Sequence, residues 1–241
     1  MAAQVMKFIT MHIDLINIAR LLQFTDSACP IGSFAFSCGL ESAVAHNIVH
    51  DASTLKEYAY ATAMQAAFCD CIVAIHAHRA TLKNDYKNIT DADHSLIMAK
   101  MNDEARTMLT RMGRKFVELG NSLLPHGSIL DNFLADIKNG ITPGTFPVAQ
   151  GAVFALMNIP ENELFAAHQY GVINMVLNAA LRCVKVSHLD TQKILFELMK
   201  ETTTLFNEIK DYNLNEIHSF CPELDLMASI HEKGQHRMFM N

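Results

Sequence analysis

Residues 54–82 read TLKEYAYATAMQAAFCDCIVAIHAHRATL, and this stretch decides the fold class. Ala59, Ala61, Ala63, Ala66 and Ala67 give it helix propensity and a surface that neighbouring helices can approach closely. Asp51 or Ser53 caps its start. Glu57 supplies a carboxylate in the first turn, where the helix dipole favours negative charge.

Helical spacing continues on both sides. Upstream, Ile13, Ile16, Leu21 and Phe24 form an apolar stripe over residues 12–24, which Asp26, Ser27, Pro30 and Gly32 end. A second helix is expected from near Cys38 to just before His50. Downstream, residues 83–88 read as a polar loop, Asp91 or Asp93 starts a helix to about Leu124, and residues 131–138 form a short one. Residues 139–147 carry Gly140, Pro143, Gly144 and Pro147 and are the clearest loop. Pro147 suits the first turn of a helix through Met157, and Pro160 that of a helix from Glu161 to about Val186. Asp190 opens a further helix to about Tyr212. No alternating run of β-branched and aromatic residues lasts long enough for a strand. The expectation is an all-α compact bundle of roughly eight to ten helices. It forms one domain over residues 1–241, with 213–241 a polar tail that orders on binding a partner.

Composition narrows the function classes. The chain is half hydrophobic over 241 residues, enough for a sizeable core without disulfides. Its net charge is −6 and its basic residues are scattered, so it offers no nucleic-acid surface. No stretch reaches the roughly 20 apolar residues that cross a bilayer. The nearest, 170–186, is interrupted by Asn174, Asn178, Arg182 and Lys185. Residues 1–10 lack the long apolar segment of a secretory leader. The cysteines Cys29, Cys38, Cys69, Cys71, Cys183 and Cys221 therefore read as reduced cytoplasmic thiols.

Chemistry-bearing residues are sparse. Cys69, Cys71, His76 and His78 crowd ten residues and raise the alternative of a nickel- or zinc-binding helical protein. Helix geometry opposes it, because residues two apart point roughly 200° apart. Cys69 and His76 share a face but lie about 10 Å apart along the axis. His46 and His50 have the i,i+4 spacing of helical ligands, but His50 adjoins the break at Asp51. No Gly-x-Ser-x-Gly elbow, phosphate-cradling loop or dinucleotide fingerprint occurs. No catalytic, metal or cofactor residues are assigned, and the chain is not expected to be an enzyme.

One segment is out of character. Residues 30–41, PIGSFAFSCGLE, combine turn residues Pro30 and Gly32 with Phe34 and Phe36, and place Gly39 at the mouth of a helix. Aromatics on a loop either pack inward or meet a partner. This segment resembles the signature of the UreF family of urease accessory proteins, with Pro30, Gly32, Ser33, Phe34, Ser37, Gly39, Leu40 and Glu41 in register. It departs at Phe36, where the family usually has Tyr or His. Asp70, Arg79-Ala80, Pro147, Gly151, Ala179-Ala180-Leu181-Arg182 and Gln192 also resemble family positions, whereas Ser187-His188 stands where a Leu-Gly-Gln is usual. The tail residues Pro222, Leu224, Asp225, His231, Glu232, Arg237 and Phe239 resemble the family's closing pattern.

The resemblance implies a dimeric all-α adaptor. Its partners would be UreD (UreH in some species), the GTPase UreG and apo-urease. The assembly would deliver nickel, with the adaptor coupling GTP hydrolysis to metal transfer. The partner-binding residues implied are Phe34, Phe36, Ser37, Glu41, His231, Glu232, Arg237 and Phe239.

Overall fold

The computed structural model describes residues 15–232 and 238–239, and every regular element among them is helical. The readings that rest on residues 1–14 and on Arg237 lie outside the described residues. The helices are α1 Leu15–Thr25, α2 Leu40–Ala45, α3 Ala52–Leu82, α4 Tyr86–Ala99, α5 Asp103–Leu123, α6 Ile129–Lys138, α7 Phe146–Leu156, α8 Glu161–Cys183, α9 His188–Leu198, α10 Thr202–Ile209 and α11 Pro222–Glu232. The all-α expectation is met.

The axis of the bundle is α3. Asp51 caps it, accepting from Thr54 N at 2.9 Å. In its middle, Ala67–Cys71 is one π-helical segment, wider than the α-helix on either side. The helix serves a different core on each side of that segment. Leu55, Tyr58, Ala59 and Ala63 pack with Ile173, Val176 and Ile194 of α8 and α9. Val73, Ala74, Ala77 and Ala80 pack with Phe116 of α5 and Val148 and Phe154 of α7. Phe68, Cys71 and Ile72 pack with Phe165 and Ile209.

The alanines earn their place where α3 meets α7. A Cβ added at Gly151 would sit 2.3 Å from the carbonyl oxygen of Ala74, so the two helices touch backbone to backbone. Around that contact Phe116, Phe133, Phe154 and Phe165 are fully buried, each contributing about 2–3 kcal/mol. An 18-residue window of α3 reaches a mean hydropathy of 1.3, and 78% of it is buried inside the bundle. Thus among the described residues α3, rather than 170–186, is the helix long and apolar enough to cross a membrane, and its apolarity answers to its central position.

Two expected helices are divided. The helix expected from Asp91 or Asp93 to Leu124 is α4 followed by α5. Asp85 caps α4, accepting from Asn88 N at 3.2 Å. The chain extends at Lys100 and restarts at Asn102, whose side chain accepts from Ala105 N at 2.7 Å. The cause is long-range: Lys100 Nζ lies 2.7 Å from Asp70 Oδ1, and Asn102 Nδ2 donates to Asp225 Oδ1 at 2.8 Å. The helix expected from Asp190 to Tyr212 starts at His188, capped by Ser187, and is broken by a 3-10 turn at Met199–Glu201.

Candidate functional site

The segment 30–41 is a tight corner. A 3-10 turn at Ser33–Ala35 follows Gly32 (φ 82°), and the chain enters α2 through Cys38 (φ 52°) and Gly39 (φ 75°). Gly39 is doubly constrained: a Cβ there would be strained by φ and would meet Ala228 N of α11 at 2.9 Å. The signature glycine therefore seats the tail helix. The Tyr58 hydroxyl braces the corner from α3, donating to Cys38 O at 2.7 Å.

The aromatics divide. Phe24 packs edge-on to Phe116 at 5.4 Å, and Phe36 is buried beside it in the same core. Phe34 is exposed. Ser37 is buried, with its hydroxyl turned inward.

The tail comes back onto this corner. Asp225 of α11 accepts from Asn102, from Gln65 Nε2 at 3.3 Å and from Ser219 Oγ at 3.2 Å. Gln65 Oε1 accepts from the amides of Phe220 at 2.6 Å and Cys221 at 2.9 Å. Beyond it, His231 Nε2 lies 2.8 Å from Glu41 Oε2 and its Nδ1 3.0 Å from Glu104 Oε2. Glu41 also accepts from the amides of Met238 at 2.8 Å and Phe239 at 3.4 Å. Phe239 is buried, with the Arg182 guanidinium 5.3 Å from its ring centroid.

Of the residues expected to meet partners, the structure brings Glu41, His231 and Phe239 together. Phe36 and Ser37 lie beneath the corner, Phe34 stands on its rim, and the Glu232 side chain and Arg237 lie outside the described residues. Sequence reasoning missed Glu104, which reads as an ordinary first-turn carboxylate of α5. Arg182 was read within the family-like Ala179-Ala180-Leu181-Arg182 stretch, with no sign of its place over Phe239.

The Cys69, Cys71, His76 and His78 set does not assemble. Three of the four side chains are committed elsewhere: His76 Nε2 to Tyr212 O at 2.8 Å, His78 Nε2 to Ile159 O at 2.8 Å, and Cys71 Sγ to Gln169 Nε2 at 3.4 Å. Burial pushes the Cys69 thiol up to about 11 and that of Cys71 higher still, so neither presents a thiolate at neutral pH. Among the described residues no three His, Cys, Asp or Glu side chains converge as metal ligands would. His46 bonds back to Ser42 O at 2.9 Å, and α2 ends at Ala45, so His46 and His50 do not share a helix.

Behind Phe34 lies a cavity of about 80 Å³, lined among others by Ile31, Asp70, Met112, Gln150, His168 and Met175. Lys100 Nζ lies against Asp70; burial works against the ammonium, and the neighbouring Asp70, Cys69 and Asp225 together more than offset that and drive its pKa up. His168 Nδ1 lies 2.7 Å from Gln150 Oε1, and burial pulls its pKa down to about 4. At neutral pH the ring is therefore neutral, donating from Nδ1 and leaving an acceptor at Nε2, which has no hydrogen-bond partner among the described residues.

This has a measurable consequence. The folded protein refuses a proton at His168 that the unfolded chain accepts at its ordinary 6.5. The stability is fully present above pH 6.5 and is lost as pH falls toward 4, by about 3 kcal/mol. In urea unfolding across that window, His168→Phe is expected to lose about 3 kcal/mol less than the parent. Equal acid slopes would show that His168 is not the group responsible.

Comparisons with known proteins agree with the family resemblance. A family model described as UreF matches residues 49–199, more than half of the chain. The chain is 42% identical over 239 residues to a urease accessory protein UreF 1 of Brucella melitensis, covering 99% of both chains. It is 40% identical over 225 residues to a urease accessory protein UreF of Yersinia pseudotuberculosis, covering 93% of this chain and 98% of that one.

Proposed function

The chain belongs to the UreF family of urease accessory proteins, and from that premise we propose that it is a non-catalytic adaptor in urease maturation. It works in the cytoplasm as a homodimer. It binds UreD (UreH in some species), the pair recruits the GTPase UreG, and the assembly delivers nickel to apo-urease. Its part is to couple GTP hydrolysis by UreG to release of the metal.

The observation that carries this reading is the joining of the chain's two signature ends. Glu41 of the corner holds His231 and the amides of residues 238 and 239, and Gly39 seats α11. The result is one composite surface with exposed Phe34 on its rim. An aromatic on a rigid corner is the kind of anchor on which interface affinity concentrates. The nucleotide chemistry is left to a separate chain, which fits the lack of a phosphate-binding loop in this sequence.

The test is co-purification with UreD, UreG and apo-urease from one source. Phe34→Ala and Arg237→Ala are each expected to reduce recovered UreD about tenfold or more, and urease activation with it. Phe34 is exposed, so its truncation leaves the bundle folded. Full UreD recovery and full activation in both variants would overturn the assignment of this surface.

A further inference from the structure

The cavity behind Phe34 lies where α1, the signature segment, α5, α7 and α8 meet. Phe24, Ile31, Leu109, Met112, Phe146 and Met175 give it a mostly apolar wall. His168 interrupts that wall. The residue is 2% exposed, and its Nδ1 is spent on Gln150 Oε1. Phe146 lies over one face of the ring, with centroids 5.8 Å apart and 27° between the planes. What the ring offers to the cavity is Nε2, a lone pair that no described residue satisfies. A buried acceptor in that state is unfavourable, so it is a seat for a donor from outside the chain.

Charge narrows the kind of donor. Asp70 reaches the cavity, but Lys100 Nζ lies 2.7 Å from its Oδ1, so the carboxylate already has its counter-ion and calls for no further cation. Asp26 stands exposed at the mouth and repels anions. The His168 ring is itself neutral at neutral pH, because burial opposes its charging. An uncharged donor suits all three groups.

Size and wall chemistry narrow it further. The volume of about 80 Å³ is roughly half of the ~150 Å³ apolar cavity that takes up benzene, and this one opens to solvent beside Phe34. That is room for one small ring. A buried water needs about two to four polar partners, and most of this wall offers none. An organic molecule with one donor and an apolar body is served by both the lone pair and the wall.

We propose that this cavity is a binding site for a small uncharged organic molecule, about the size of a single five-membered ring, whose N–H or O–H donates to His168 Nε2 while its apolar body lies against Met112 and Met175. The site is reached from the surface between the signature segment and α8, where Ser33, Phe34, Gly171 and Asn174 line the mouth. What occupancy does for the protein rests on the proposed function. A molecule held there lies directly beneath Phe34 and braces the rim of the surface that meets the partner.

The test uses the full-length chain at neutral pH. The probe is pyrazole, an uncharged five-membered ring with one N–H; its control is 1-methylpyrazole, which has no donor. Titration of pyrazole is expected to saturate with a dissociation constant on the order of 1 mM, within the ceiling for so small a ligand. The nitrogen-15 shift of His168 Nε2 and the methyl signals of Met112 and Met175 should move together along that curve. The control is expected to bind at least about tenfold more weakly, because a site that hydrogen-bonds a donor rejects the analogue lacking it.

Two variants locate the site. His168→Phe removes the acceptor, and Gly171→Leu fills the mouth without touching His168. A Cβ added at Gly171 meets nothing within 4 Å, so the larger side chain leaves the bundle folded, which far-ultraviolet circular dichroism checks. Each is expected to weaken pyrazole binding about tenfold. No saturable binding, equal affinity for pyrazole and its control, shifts that bypass His168, or an affinity unaltered in both variants overturns the site. The titration contains no partner protein, so its failure leaves the adaptor reading standing. A chain that binds pyrazole as expected yet fails to recover UreD would condemn the adaptor reading alone.

Discussion

Asp93→Ala is expected to lower the free energy of unfolding by about 4 kcal/mol, among the largest effects of any single change. Asp93 lies on α4 and is fully buried. One oxygen accepts from Thr142 Oγ1 at 2.6 Å and Gly144 N at 2.6 Å, the other from Thr145 N at 2.8 Å and Thr145 Oγ1 at 2.6 Å. Alanine leaves two amides and two hydroxyls without an acceptor, and each buried orphan costs about 1–3 kcal/mol, less than additively. The loop they come from leads directly into α7, so the packing of α7 on α3 is lost with it. Asp93→Asn keeps one acceptor oxygen and should cost about half as much. Urea denaturation measures both. A loss below 1 kcal/mol for the alanine variant would show that the loop holds itself.

Lys100→Met is expected to cost about 3–5 kcal/mol, because it strands the Asp70 carboxylate beside the cavity behind Phe34 without its counter-ion. The second half of the prediction separates charge from shape. Asp70→Leu combined with Lys100→Met should recover most of the loss, since replacing a whole buried pair by apolar residues is often near neutral. If the double variant is as unstable as the single one, the bond between α3 and the α4–α5 break is not electrostatic.

Asp93 and Lys100 also show where sequence reading stopped. Local chemistry was partly legible: Asp51 caps α3 and Pro147 lies in the first turn of α7 as read, whereas the loop read over 139–147 ends at Thr145 and Pro160 stands before α8 rather than in its first turn. Asp93 was read as a helix start, because a carboxylate near a polar stretch looks like a cap. Its partners lie some fifty residues downstream, and nothing local announces them. The break at Lys100–Asn102 has the same origin, since its partners are Asp70 and Asp225. The candidate site was legible as two separate motifs. Their meeting through Glu41, His231 and Phe239 is a property of the fold, as is the recruitment of Glu104 and Arg182.

The π-helical segment at Ala67–Cys71 has one more implication. Widening a single turn takes up about one residue of rotation, so the two ends of α3 are out of phase by roughly 100°. A regular helix of this length would hold one stripe toward one neighbour. The phase slip lets a single rod present one stripe to α8 and α9 and another to α5 and α7. At the slip itself the carboxylate of Asp70 is turned toward Lys100. Chain length across these five residues therefore acts as an angular setting for the whole molecule. Removing one residue there would make α3 more regular and would rotate His78, Arg79 and the Ala74–Gly151 seam away from the partners they now meet.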